Sequence, residues 1–155
     1  MNYLRELVKN DVLITAVTGW FVAQILKVLI VLFQKKRLDW SRLIGSGGMP
    51  SSHTSFVISL TTAVGYKEGL SSTLFAVCCV LSFIVMYDAS GVRRATGTQA
   101  KVINKLVDSY EETEDVEISD EKLKELIGHS PLEVFAGAVL GILIAVFMYK
   151  CVHCI

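Results

Sequence analysis

Proline is nearly absent from this chain: only Pro50 and Pro131 occur, and each stands where a helix is about to begin. Proline suits that first helical position because its missing N–H would have no intrahelical partner there in any case. Charge is scarce as well. Asp, Glu, Lys and Arg make up 19% of residues against 52% apolar, and the formal net charge is zero. A chain without a net field offers no general attraction to nucleic acid, so no nucleic-acid partner is expected. The four cysteines do not frame a disulfide scaffold: Cys78 and Cys79 are neighbours inside an apolar run, where cysteine acts as a small hydrophobe. Cys151 and Cys154 bracket His153 in CVHC at the C-terminal end, with too little chain around them to support a metal or redox centre. The opening MNYLRELVKND shows no signal-peptide pattern.

Long apolar sequence is what the chain does have. Its mean hydropathy of +0.52 is high for a water-soluble domain. Four segments carry it, at 12–33, 55–66, 70–87 and 131–149. The first, third and fourth reach or approach the roughly 20 residues that cross a bilayer as a helix. The second is shorter, and extends usefully only when its helix starts near Ser51. None shows the polar stripe of a helix in a soluble bundle. The expected fold is all-α: a polytopic membrane helical bundle of about four transmembrane helices, with residues 1–155 as one membrane domain. Gly137 and Gly141 form a small-x-x-x-small pair that lets helices approach closely in lipid.

Between the third and fourth spans lies a polar region, 88–129. It is expected to open with a helix from about residue 91 to 107 and to continue as an acidic loop over 108–121, which holds eight of the chain's 15 acidic residues. With four spans, the segments 34–50 and 88–129 share one side of the membrane and carry ten Lys and Arg residues; the other side carries four. The positive-inside rule places the ten in the cytoplasm, so the cytoplasmic face of the cell membrane is the expected location of any site built there.

Three polar clusters meet on that face. The first is QKKRLDWSRL after span one, with Lys35 and Arg42; the second is GSGGMPSSHTS at the mouth of span two, with Ser51, Ser52 and His53; the third is GHSPLE before span four, with His129 and Glu133. The exit of span three adds Asp88, Arg93 and Arg94. Glycines before Pro50 let the backbone approach a ligand, and the free N–H groups of a helix start favour an anion. Arginine can hold two phosphate oxygens at once. Basic side chains beside spans often only snorkel to the interface, so the cations alone do not argue for a phosphate site. The histidines add weight. His129 and Glu133 are four apart, so they share a helix face if the helix starts at or just before His129. A carboxylate on one ring nitrogen fixes the tautomer and leaves the other free to attack.

These residues resemble the type 2 phosphatidic acid phosphatases, which share a fold with vanadium-dependent haloperoxidases. That family's signature is Lys-x6-Arg-Pro, then Pro-Ser-Gly-His, then Ser-Arg-x5-His-x3-Asp. Lys35 and Arg42 have the first spacing, with Leu43 in place of proline; PSSH at 50–53 resembles the second, with Ser52 for glycine. HSPLEVFAG at 129–137 resembles the end of the third, with Glu133 for aspartate. The Ser-Arg half is missing, since Lys122 and Leu123 stand there, and Arg93 or Arg94 is the expected substitute. The match is closest to the small, divergent branch of the family.

The resemblance implies a metal-independent phosphatase that needs no cofactor and acts on a lipid phosphate monoester or diphosphate. His129 would attack phosphorus, Glu133 would orient its ring, and His53 would protonate the leaving alcohol. Lys35, Arg42, Ser51, Ser52 and Arg93 or Arg94 would hold the phosphoryl oxygens, with Asp88 in support. The partners are then the bilayer and a lipid phosphate, and the small internal volume of such a bundle leaves a homodimer open. The alternative is a catalytically inactive member of the fold that binds lipid phosphate or serves in assembly. A transporter fits less well, because only Gln24 and Lys27 are strongly polar inside a span.

Overall fold

Three of the apolar segments lie in helices long and apolar enough to cross a membrane: Asp11–Phe33, a stretch beginning at Thr73, and Pro131–Cys151. A computed structural model describes residues 2–35, 48–114, 122–123 and 128–153. The described residues form six helices: α1 (Asn2–Val8), α2 (Asp11–Lys35), α3 (Ser52–Glu68), α4 (Thr73–Ser90), α5 (Val92–Glu114) and α6 (Pro131–His153). The chain folds as a helical membrane bundle.

Local signals set the boundaries. The Asn10 side chain accepts from Leu13 N at 3.1 Å and starts α2. Ser72 does the same for α4, accepting from Phe75 N at 3.1 Å. Gly69 ends α3 at φ 85°, a conformation costly for any residue with a side chain, and its N–H bonds Gly65 O. Gly91 separates α4 from α5 while its N–H still reaches Tyr87 O at 2.8 Å.

Apolar residues are distributed as lipid, not water, would arrange them. Large hydrophobics lie outside, among them Phe21, Phe83, Ile84, Phe135, Leu143 and Phe147. The interior holds small and hydroxylated residues: Ala16, Ala23, Ala145, Ser55, Ser59 and Thr61 are all buried. Lipid tails supply no hydrophobic drive for helices to associate, so close backbone packing and interhelical hydrogen bonds must do it.

Helix α3 is central, packed against α2, α4 and α6. It is shorter and more polar than the three spanning helices, and it turns its hydroxyls to their backbones. Ser55 Oγ donates to Gly19 O at 2.9 Å, and Ser59 Oγ donates to Gly141 O at 3.1 Å. Thr61 Oγ1 reaches Cys78 O at 3.2 Å and Ser82 Oγ at 2.8 Å. Glycine makes the approach possible: a Cβ on Gly137 would lie 2.5 Å from Ser51 O, and one on Gly141 would lie 2.8 Å from Ser55 O. The small-residue pair in α6 therefore packs as its spacing predicts.

The polar region differs from expectation in one respect. Helix α5 does not stop near 107 but runs to Glu114, so 108–114 of the acidic segment is helical. Residues 115–121 lie outside the described residues, as does Cys154 of the CVHC segment. Asn104 fixes the return strand of chain to α5: its side chain donates to Leu123 O at 2.9 Å and accepts from Leu123 N at 3.0 Å.

Candidate functional site

The start of α6 is built by SPLE. Glu133 N donates to Ser130 Oγ at 3.3 Å, while Ser130 N donates to Glu133 Oε2 at 2.9 Å. This reciprocal arrangement is a capping box, and it fixes the carboxylate in space. The same Oε2 lies 3.3 Å from His129 Nδ1. A carboxylate only accepts, so Nδ1 carries the proton and Nε2 keeps its lone pair. His129 is 2% exposed, and its Nε2 is buried with no hydrogen-bond partner.

Two further contacts fix the position of His129. Its N–H donates to Ala89 O at 2.9 Å, tying α6 to the end of α4. Gly128, at φ 92°, lies flat on the α5 backbone, where a Cβ would meet Arg94 N at 2.4 Å. No other residue type fits there without moving one of the two chains. Burial holds the His129 imidazole below its ordinary pKa of 6.5, and the charges of Lys27 and Arg93 push the same way. Glu133 opposes them without reversing the direction. The ring is therefore neutral at pH 7.

The α3 entrance brings the second histidine. Gly48 adopts φ 91° before Pro50, and Ser51 then caps α3 by accepting from Thr54 N at 3.4 Å. Ser51 N donates to Glu133 O at 3.0 Å, which joins the two helix entrances directly. His53 follows on the first turn, with its ring centroid 6.3 Å from that of His129. Whereas His129 is enclosed, His53 is exposed and faces an apolar groove of about 460 Å³ with Trp20, Phe56, Val57 and Val85.

The remaining sequence candidates fall at different distances from this pair. Ser51 and Ser52 are buried, and the Ser51 hydroxyl serves the helix cap and Thr54 Oγ1. Asp88 pairs with Arg93, both partly exposed, which ordinarily adds little stability. Arg93 acts electrostatically on both histidines. Arg94 has an exposed side chain and meets the site through its backbone beneath Gly128. The Lys35 side chain and all of Arg42 lie outside the described residues.

Sequence reasoning missed one residue that the fold brings to the centre. Lys27 is 1% exposed, its stem lies beside Gly48, and its charge acts on both histidines. Gln24, one turn earlier on α2, is buried as well. The signal was a charged residue within an apolar span, which by itself marks a functional position.

The family described as Divergent PAP2 family matches residues 8–144 of the chain. A relative from Bacillus subtilis (strain 168), the uncharacterized membrane protein YuiD, is 43% identical over 152 residues, covering 92% of this chain and 96% of its own length. No solved structure matches.

Proposed function

The chain belongs to the Divergent PAP2 family, and on that premise we propose that it is a membrane-embedded phosphatase of lipid phosphates working through a phosphohistidine. One observation carries the reading. His129 has one ring nitrogen bonded to a carboxylate and the other buried, unprotonated and unpartnered, beside a second histidine. A buried acceptor without a partner is costly, and a substrate phosphorus would give it one.

In the first half-reaction the Nε2 lone pair of His129 forms an N–P bond as the P–O bond to the alcohol breaks. His53, protonated, gives its proton to the leaving oxygen. In the second, water attacks phosphorus, His53 takes its proton, and the N–P bond breaks to release phosphate. Glu133 holds the ring and stabilises the charge it gains on attack. Arg93, with Lys35 and Arg42 by resemblance, would hold the phosphoryl oxygens. The apolar groove that reaches His53 suits an acyl or prenyl chain, which favours a lipid over a soluble ester. The cytoplasmic face of the plasma membrane remains the location that the Lys and Arg asymmetry supports.

Phosphate release from phosphatidate, phosphatidylglycerophosphate and polyprenyl phosphates by the purified protein, with and without EDTA, tests this. Release should survive EDTA and vanish in His129→Ala and His53→Ala. A wild type inert on all three substrates would leave the lipid-phosphate-binding reading in its place.

A further inference from the structure

We propose that the end of the bundle opposite the histidines holds an aminophospholipid, with its headgroup in a cavity between α2, α3 and α6 and an acyl chain in the groove beside it. Nothing in this depends on the phosphatase reading. His53 lies in the first turn of α3 and Tyr66 in the last, so about 20 Å of helix separates the two regions.

The cavity has a volume of about 200 Å³, and its walls include Asp11 and Thr15 of α2, Tyr66 and Lys67 of α3, and Tyr149 of α6. Helices α2 and α6 are long enough to span the bilayer, so their ends lie at headgroup depth. Tyr66 and Tyr149 stack with ring centroids 4.3 Å apart and planes 16° from parallel, which fixes one wall. Asp11 and Lys67 present opposite charges to the same space, yet among the described residues neither forms an ion pair with the other or elsewhere. Each charge alone has an ordinary reason, since an acid suits a helix start and a base a helix end. Facing one cavity without meeting is what a zwitterion requires. It offers a carboxylate for the ammonium, an ammonium for the anionic oxygens, and aromatic rings for the positive end.

The adjoining groove points to a lipid rather than a soluble zwitterion. It has a volume of about 330 Å³ and is lined by Leu13, Leu60, Val64 and Leu74 from α2, α3 and α4. Val12 and Lys67 line both spaces. Asp11 therefore stands on the cavity alone, Lys67 at the junction, and the leucines on the groove alone. An aminophospholipid has its groups in the same order: ammonium, phosphate, then glycerol and chains. A soluble zwitterion would leave the groove unused. A phospholipid without an amine would set a neutral or anionic head against Asp11, and Glu68 on the groove adds to that disfavour. A primary amine suits the carboxylate best, because a quaternary ammonium has no N–H to donate.

Competition between dioleoyl phosphatidylethanolamine and dioleoyl phosphatidylglycerol for the purified full chain in detergent, read by native mass spectrometry, tests the site. Wild type should retain phosphatidylethanolamine in preference. Asp11→Asn should reduce that preference about 3- to 10-fold, as loss of a partly solvated charge-assisted hydrogen bond implies. Lys67→Met should weaken retention of both lipids, while Lys9→Met, outside the cavity, should behave as wild type. Equal retention of the two lipids by wild type would overturn the proposal. So would an Asp11→Asn variant with a lower unfolding midpoint and an unchanged lipid preference, since that is a helix-end effect alone. Phosphoethanolamine without chains should compete only when in large excess over the lipid. Competition at equal concentration would transfer the cavity to a soluble zwitterion and overturn the lipid assignment. Phosphate release enters none of these readouts, so an inactive protein tests the site equally well.

Discussion

Gly137→Ala adds one carbon at a tight contact between α3 and α6 near the site, and its effect follows from the distances. The new Cβ would stand 2.5 Å from Ser51 O and 3.1 Å from Thr54 Cβ, whereas ordinary contact begins at 3.4 Å. Helices α3 and α6 must then separate by about 0.9 Å, because the obstacle is backbone and no side chain can swing away. Overpacking of this kind costs about 1–3 kcal/mol. The separation also acts where the Ser51 N–H holds Glu133 O, so it moves His53 and His129 apart. A displacement near 1 Å between reacting groups lowers the rate about 100-fold. Gly141→Ala is the comparison: its Cβ would stand 2.8 Å from Ser55 O, one turn further from the histidines. Thermal unfolding in detergent should show both variants less stable, with Gly137→Ala the worse. Phosphate release should fall mainly in Gly137→Ala. The reasoning is refuted if Gly137→Ala unfolds at the wild-type midpoint, or if Gly141→Ala is the more damaging to activity.

Glu133→Gln preserves the shape of the capping box and removes the charge; kcat should fall about 100-fold or more with an unchanged fold, and full activity would remove Glu133 from the mechanism. Because burial lowers the His129 pKa from 6.5, the rising acid limb of kcat/KM should have its midpoint below that value, and loss of the His53 proton should bring a falling limb on the alkaline side; a rise centred above 6.5 would contradict the buried neutral ring. The same shift bears on stability. The unfolded chain binds this proton more readily than the folded one, so the contribution is complete above pH 6.5 and declines as pH falls through the folded pKa, as acid unfolding in detergent would show. Ser59→Ala deletes the bond to Gly141 O and should cost about 1 kcal/mol in a chemical unfolding titration, while an unchanged midpoint would mean that the hydroxyl contributes nothing.

The helical bundle was readable because lipid demands long apolar runs, and 12–33, 70–87 and 131–149 are such runs. The helix entrances were readable in part: Pro131 is the first residue of α6 as expected, whereas Pro50 stands before the Ser51 cap of α3 and so outside its first turn. His129 and Glu133 were legible as a pair from their spacing alone, and they meet at 3.3 Å. Other features depended on tertiary structure. Ser55 and Ser59 look like mild interruptions of an apolar helix until Gly19 and Gly141 are placed opposite them. Lys27 looks like an isolated blemish in α2 until the fold buries it with its stem beside Gly48. The different placement of Arg93 and Arg94 likewise depends on the fold, which pairs one guanidinium with Asp88 and lays the other residue's backbone under Gly128. The extension of α5 to Glu114 escaped because a run of acidic residues is equally at home on a solvated helix and in a loop.

The hydroxyls of α3 have a consequence for how the protein is made. Ser55 and Ser59 spend their bonds on the carbonyls of α2 and α6, so before those helices are beside it α3 meets the bilayer with polar groups that lipid cannot satisfy. It is joined to α4 by a turn of only four residues, 69–72, and Thr61 bonds to Cys78 and Ser82 across that hairpin. An α3–α4 hairpin packed on α2 would satisfy Ser55 and Thr61 but would leave Ser59 without Gly141 O until α6, the last of the described helices, is in place. Glu133 lies in α6 and His129 just before it, so on the proposed mechanism a chain without that helix would sit in the membrane lacking its nucleophile. Competence arrives only when the final helix closes on the glycine and serine seam.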